Sequence, residues 1–360
     1  MNSSKQILFL AFTIIYFSMP NQTYSQEKRV SKSDFGTLAD GTKVEKFTLR
    51  NSNGMEVNLM TYGATITKIS VPDKNGEFEN IITGSENLDD YMLKYPAASA
   101  IGRFANRIER GQFSIDDKQY NVTINNGKNH IHGGNKGFAK VVWDAEILDL
   151  KDQPVGVRFS YFSKDGEEGF PGNLNVSVTY ILSDDNELIL NYEASTDKPT
   201  IVNLTNHAYF DLSGSSDISS HILQLNAGHY TPVNKELIPT GEIKSVKNTP
   251  FDFNAPLAIN ARLVELDPDP KKGYYDHNYV LRNKGKKMVD LGELYYPLNG
   301  RLMTVKTTLP GVQLYTGNKV GICLETQHYP NAINEPKFPS PIIRPNEPHQ
   351  STTIFGFSIR

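Results

Sequence analysis

The sequence predicts an all-β protein, a sandwich or a barrel, and three observations carry that prediction. Turn signals recur about every ten residues, as in Ala39-Asp40-Gly41, Asn51-Ser52-Asn53-Gly54, Pro72-Asp73-Lys74-Asn75-Gly76, Asn125-Asn126-Gly127 and Lys164-Asp165-Gly166. Asn, Asp and Gly accept positive φ cheaply, so such runs reverse the chain. Between them lie short β-branched and aromatic segments, and the 18 Tyr and 18 Phe suit a core packed between sheets. No amphipathic helix longer than a few turns and no Gly-rich phosphate loop interrupts the pattern. Many short strands with regular turns are the signature of packed antiparallel sheets.

Taken in chain order, the N-terminus stands apart. Lys5 precedes an apolar stretch over residues 7–17, followed by Thr23-Tyr24-Ser25-Gln26. Charged, then apolar, then small is the order of a secretory signal peptide, and the apolar part is short for a bilayer span. The expectation is export to the periplasm or the extracellular space, with cleavage near Ser25. Residues 1–25 would be the leader and residues 26–360 one catalytic domain, with no membrane contact after processing. A membrane anchor is the alternative. A lipoprotein anchor is not, because it needs a cysteine just after the apolar run and the only cysteine is Cys323. A single cysteine permits no internal disulfide, so the fold must rest on its core. Cys323 itself reads as a buried small hydrophobe.

The clearest sheet element is a hairpin. Val176, Val178, Tyr180 and Leu182 alternate with polar neighbours, Ser183-Asp184-Asp185-Asn186 turns the chain, and Leu188, Leu190 and Tyr192 return. One face of that hairpin must be buried. Composition sets outer limits: 38% hydrophobic and 21% charged residues fit a soluble globular protein, and the net charge is -3. Without a basic stripe, nucleic acid is excluded as an expected partner. No repeat, linker or break in composition divides the chain.

Polar clusters inside apolar segments mark the chemistry. In Gly321-Ile322-Cys323-Leu324-Glu325-Thr326-Gln327-His328-Tyr329-Pro330-Asn331, a carboxylate interrupts a strand that otherwise reads as buried. An unpaired buried carboxylate is expensive, so Glu325 needs a partner or a task. Over residues 200–210, alternation places Asn203, Thr205, His207 and Tyr209 on one face and Val202, Leu204, Ala208 and Phe210 on the other. That reads as the floor of a wet cleft, although a solvent-facing strand would look the same. Asn129-His130-Ile131-His132-Gly133-Gly134 sets two histidines at alternate positions, a possible metal pair. No further ligands follow at a recognisable spacing, and the glycines better suit a tight turn that brings backbone close to a ligand. Arg103, Asn106 and Arg107 offer planar multi-donor groups suited to a polyhydroxylated ligand, or ordinary surface ion pairs. Tyr275-Asp276-His277-Asn278-Tyr279 adds a carboxylate among aromatics.

Together these segments resemble the aldose 1-epimerase (galactose mutarotase) family. The resemblance rests on Gly102-Arg103-Phe104-Ala105-Asn106-Arg107, Ile131-His132-Gly133-Gly134, Asp165-Gly166-Glu167-Glu168-Gly169-Phe170-Pro171-Gly172, Asn203-Leu204-Thr205-Asn206-His207, Tyr275-Asp276-His277-Asn278, Pro310-Gly311-Val312-Gln313-Leu314-Tyr315-Thr316-Gly317-Asn318 and Leu324-Glu325-Thr326-Gln327-His328-Tyr329-Pro330-Asn331. They occur in the family's order. The resemblance implies a single large β-sandwich, the galactose mutarotase-like supersandwich, and interconversion of the anomers of free aldoses such as galactose and glucose. It implies Glu325 as general base, His207 as general acid, and His132 orienting the ring oxygen. Asn106, Arg107, Asp276 and Gln313 would bind hydroxyls, with no metal and no cofactor. A carboxylate kept ionised and an imidazole kept protonated would meet the need for two opposed proton transfers. The assembly would be a monomer or homodimer. A glycoside hydrolase using Asp276 and Glu325, or a non-catalytic carbohydrate-binding module, stays open at this point.

Overall fold

The computed structural model describes residues 29–93, 97–148, 155–215, 217–269, 271–282 and 287–360. The expected leader over residues 1–25 lies outside them. The backbone is built from three principal antiparallel sheets. The largest has nine strands, in the order Asp144–Leu148, Val155–Ser163, Leu174–Leu182, Glu187–Thr196, His349–Ile359, Arg301–Thr307, Val289–Tyr295, Ile222–Leu225 and Leu257–Ala258. The long C-terminal strand sits in its middle and joins the strands of residues 144–196 to those of residues 222–307. A five-stranded meander runs from Val30–Thr37 to Phe78–Asn80. A second five-stranded sheet orders Lys244–Ser245, His229–Thr231, Asp276–Val280, Gly311–Tyr315 and Cys323–Gln327. Among the described residues, α-helix is confined to Leu88–Leu93 and Leu263–Leu266.

The predicted hairpin forms as read. Leu174–Leu182 pairs with Glu187–Thr196, with Leu182 opposite Leu188 and Val178 opposite Tyr192. Val178, Tyr180, Leu182 and Leu188 are fully buried. Each such side chain contributes roughly 1.5–3 kcal/mol when removed from water. One apolar cluster unites the sheets: Phe47 and Val57 of the meander, Phe159 and Leu190 of the large sheet, and Tyr279 and Leu324 of the second five-stranded sheet. Phe47 and Phe159 meet edge to face at 5.8 Å. Tyr180 donates its buried hydroxyl to the Ala64 carbonyl at 2.7 Å, so that hydroxyl is matched within the core.

Short pairings tie the loops to this frame. Arg107–Ile108 pairs with His130–Ile131, and Thr205–Asn206 with Ala100–Ile101. Phe210 and Ile322 exchange both backbone hydrogen bonds, at 2.9 and 2.8 Å. That exchange fastens the segment carrying His207 to the strand carrying Glu325.

Candidate active site

Three neighbouring strands lay out the acidic wall of a cleft. Gln313 stands opposite both Asn278 and Glu325, and Tyr315 opposite both Asp276 and Cys323. Alternation then turns Asp276, Tyr315, Cys323 and Glu325 to one side, while Tyr279, Val312, Leu314 and Leu324 enter the core. The carboxylate in an apolar strand is thus explained: all five residues of Cys323–Gln327 are buried, and one face of that buried strand is polar.

The other walls come from loops. Asn106 and His132 both have positive φ, 61° and 50°. They interlock, because His132 N–H donates to the Asn106 carbonyl at 3.0 Å and Asn106 N–H donates to His132 Nδ1 at 3.1 Å. Nδ1 is therefore an acceptor, which leaves the proton of the neutral ring on Nε2. Gly133, at φ 82°, packs against the Gly102 carbonyl so closely that a Cβ would lie 1.8 Å from its oxygen. The close backbone approach expected of this glycine pair is to the chain itself.

Asn106, Arg107, Ile131, His132, His207, Tyr209, Asp276, Tyr315 and Glu325 line a cleft of about 270 Å³. That is near the lower end of the roughly 300–1,000 Å³ typical of ligand sites, a size for one small polar molecule. His207 Nε2 lies 3.6 Å from Glu325 Oε1. The His207 ring stacks on Tyr209 at 4.9 Å and meets His132 edge-on at 5.3 Å. Arg107 approaches Asp276 at 3.6 Å, and Gln313 Nε2 donates to the other Asp276 oxygen at 2.5 Å. Gln313 thus stands behind Asp276 and steadies it.

Burial sets the proton affinities. It pushes the Glu325 carboxyl well above its ordinary range, reinforced by the Asp276 charge and opposed by Arg107. Burial also raises Asp276, against the pull of Arg107 and Gln313. It lowers His207 to about 4 and drives His132 well below its ordinary value. These shifts work against the expected ionised carboxylate beside a protonated imidazole. The low-dielectric wall favours the neutral pair, which holds the same proton in a different place.

Several sequence expectations are redrawn. His130 and His132 do not share a site: the strand ends at Ile131, and His130 is fully buried with Nδ1 2.7 Å from the Thr123 carbonyl. The histidine that joins His132 is His207, and these two with Glu325 bring ligand-capable atoms within 4.8 Å of one another. Arg103 does not face the cleft. Its guanidinium is buried, donating to Ser163 Oγ and to the carbonyls of Ser163, Lys164, Pro171 and Gly172. The acidic-glycine motif around Asp165 therefore serves as the socket for this arginine. Asn203 is also structural, accepting from His328 N–H at 2.7 Å and donating to the Ala105 carbonyl at 3.1 Å. Of the polar face predicted over residues 200–210, only His207 and Tyr209 line the cleft. Tyr315 was missed, although it lies two residues from Gln313 on one strand face.

A protein-family model described as aldose 1-epimerase matches residues 45–356. The chain belongs to the aldose 1-epimerase family. Galactose mutarotase of Sus scrofa is 41% identical over 350 residues, covering 92% of this chain and 99% of that protein. Aldose 1-epimerase of Escherichia coli strain K12 is 35% identical, covering 88% and 96%. The crystal structure of galactose 1-epimerase from Lactobacillus acidophilus NCFM superimposes with a TM-score of 0.79 at 29% identity, covering 92% and 98%. The galactose mutarotase-like sandwich expected from the motifs is the fold observed.

Proposed function

We propose that this aldose 1-epimerase interconverts the α and β anomers of free aldoses through Glu325 and His207. The observation that carries the reading is the 3.6 Å approach of His207 Nε2 to Glu325 Oε1 at the wall of a cleft sized for one sugar. Glu325 takes the proton of the anomeric hydroxyl while His207 delivers one to the ring oxygen. The bond between C1 and the ring oxygen breaks, giving the open aldehyde. Rotation about C1–C2 and closure on the other carbonyl face, with both proton movements reversed, gives the other anomer. The proton count closes between the two side chains, and no electrons leave the sugar.

The neutral pair favoured by burial has a place in this cycle. Carboxylate with imidazolium opens the ring; carboxylic acid with neutral imidazole is what remains beside the aldehyde, and it drives closure. Sugar hydroxyls donating to Glu325 favour its carboxylate, bringing the two forms closer in energy. His132, with Nδ1 engaged by Asn106, presents Nε2–H as a donor for the ring oxygen. Asn106, Arg107 and Asp276 hold hydroxyls, and Gln313 acts through Asp276. Asp276 is engaged on both oxygens, which suits orientation rather than proton delivery and speaks against a hydrolase pair. Galactose and glucose are the substrates to try first. The basic and apolar order before Ser25 supports export, so the sugar would be met outside the cytoplasm. The test is polarimetry of freshly dissolved α-D-galactose and α-D-glucose with and without EDTA. Accelerated, EDTA-insensitive mutarotation without glycoside cleavage supports the reading; no acceleration on any aldose overturns it.

A further inference from the structure

We infer that Cys323 is a positioning residue for His207, its sulfur accepting the Nδ1 proton so that Nε2 is the nitrogen presented to the cleft. Cys323 Sγ lies 3.5 Å from His207 Nδ1, and both side chains are buried. Cys323 and Glu325 are two apart on one strand and so share a face. Their strand is locked to the His207 segment by the Phe210–Ile322 exchange. One strand therefore addresses both ring nitrogens, with sulfur on one side and carboxylate on the other. This inference deepens the acid–base reading and rests on it.

The choice of sulfur matters chemically. In the proposed cycle His207 passes between imidazolium and neutral imidazole at Nε2, while Nδ1 keeps its proton throughout. A carboxylate at Nδ1 would hold the ring as a cation and oppose the return step. A thiol is a weak acceptor without charge, so it fixes the tautomer and leaves both protonation states accessible. Burial, with the Glu325 and Asp276 charges, keeps the Cys323 thiol protonated and removes it as a competing base. The carbonyl of His207 itself also accepts from the ring and favours its protonated form, so the sulfur reinforces an Nδ1–H orientation that the backbone shares. The other groups facing the ring are Tyr209, His132 and Tyr315, at 4.9, 5.3 and 6.2 Å between ring centres. Among these, burial lowers His132 and raises Tyr315, which leaves both neutral.

The experiment compares Cys323→Ala and Cys323→Ser with the parent protein, using imidazole 15N NMR and polarimetric kinetics across pH. The His207 signals are assigned by their loss in His207→Asn. The inference expects the parent ring in its Nδ1–H form and a measurably larger Nε2–H fraction in Cys323→Ala. It expects kcat to fall about tenfold in Cys323→Ala with KM within about twofold, and a shifted pH profile of kcat. Cys323→Ser, which restores an acceptor, should recover most of the rate. A parent ring in the Nε2–H form, unchanged kcat and pH profile in Cys323→Ala, or equal losses in the two variants would overturn it. The tautomer is read without turnover, so its failure is distinct from failure of the mutarotase reading. Should Cys323→Ala fail to fold, the parent spectrum and the pH profile of Cys323→Ser still decide.

Discussion

Glu325 Oε1 and His207 Nε2 face each other at 3.6 Å, and both side chains are buried, at 2% and 6% exposure. The two groups proposed to exchange protons with a sugar are thus held within reach of each other and largely shielded from water. The arrangement strengthens every electrostatic contact in the cleft and makes the ionised forms expensive to maintain.

That expense predicts a stability gain on removing the carboxylate. Glu325 has its folded affinity for protons raised, so its contribution to stability is complete below its unfolded pKa of about 4.5 and is lost as pH rises through the folded value. Glu325→Gln has no such loss. Its melting temperature should exceed the parent's at pH 7–8, by about 1–2 °C per kcal/mol relieved, and the difference should close below about pH 4.5. Thermal melts of the two proteins across that range check it. Melting of the Glu325→Gln variant below the parent at pH 8 would mean that the carboxylate is well compensated where it sits.

Buried imidazoles predict sensitivity to mild acid. Burial lowers His130, His207, His277 and His328 to about 4, and His349 to about 3. A lowered folded value contributes stability that is complete above the ordinary pKa of about 6.5 and is lost as pH falls toward the folded value. The melting temperature should therefore fall steadily from pH 6.5 to pH 4, each imidazole contributing up to about 1.4 kcal/mol per pH unit. His132 and His221 are lowered as well, and Glu325, Asp276 and Glu335 act in the opposite direction, three against seven. Calorimetry showing a flat melting temperature down to pH 5 would contradict this.

Much of this was legible in the chain, and the failures share a physical cause. Alternation and turns revealed the 174–196 hairpin because a single buried face leaves an unambiguous period. Glu325 was visible because a charge in an apolar strand breaks that period. His130 and His132 misled for the converse reason: the rule of alternate faces holds only while the strand lasts, and His132 at φ 50° has already left it. Asn203 and Arg103 were misplaced because an amide or guanidinium that satisfies buried backbone carbonyls looks, in sequence, the same as one that binds a ligand. The proton positions in the Glu325–His207 pair depend on depth of burial, which no local pattern encodes.

Gln313 and Asp276 should behave as one unit toward substrate. Gln313 reaches the cleft through its 2.5 Å bond to Asp276, which in turn faces Arg107. Asp276→Asn should raise KM at least about tenfold, because an amide oxygen accepts more weakly than a carboxylate from Arg107 and from sugar hydroxyls. Gln313→Ala should raise KM less, and the double variant should fall short of additivity by about 0.5–3 kcal/mol. Kinetics and denaturant melts of the four proteins check this, and strict additivity would place Gln313 directly on the sugar.

The central claim is tested most directly by measuring turnover in Glu325→Gln and His207→Asn, by polarimetry on α-D-galactose, alongside sugar binding by calorimetry. The account predicts that each variant loses at least about 10²-fold in kcat while still binding the sugar. Turnover near the parent's in either variant, with binding intact, would remove that residue from the proton transfers and contradict the assignment.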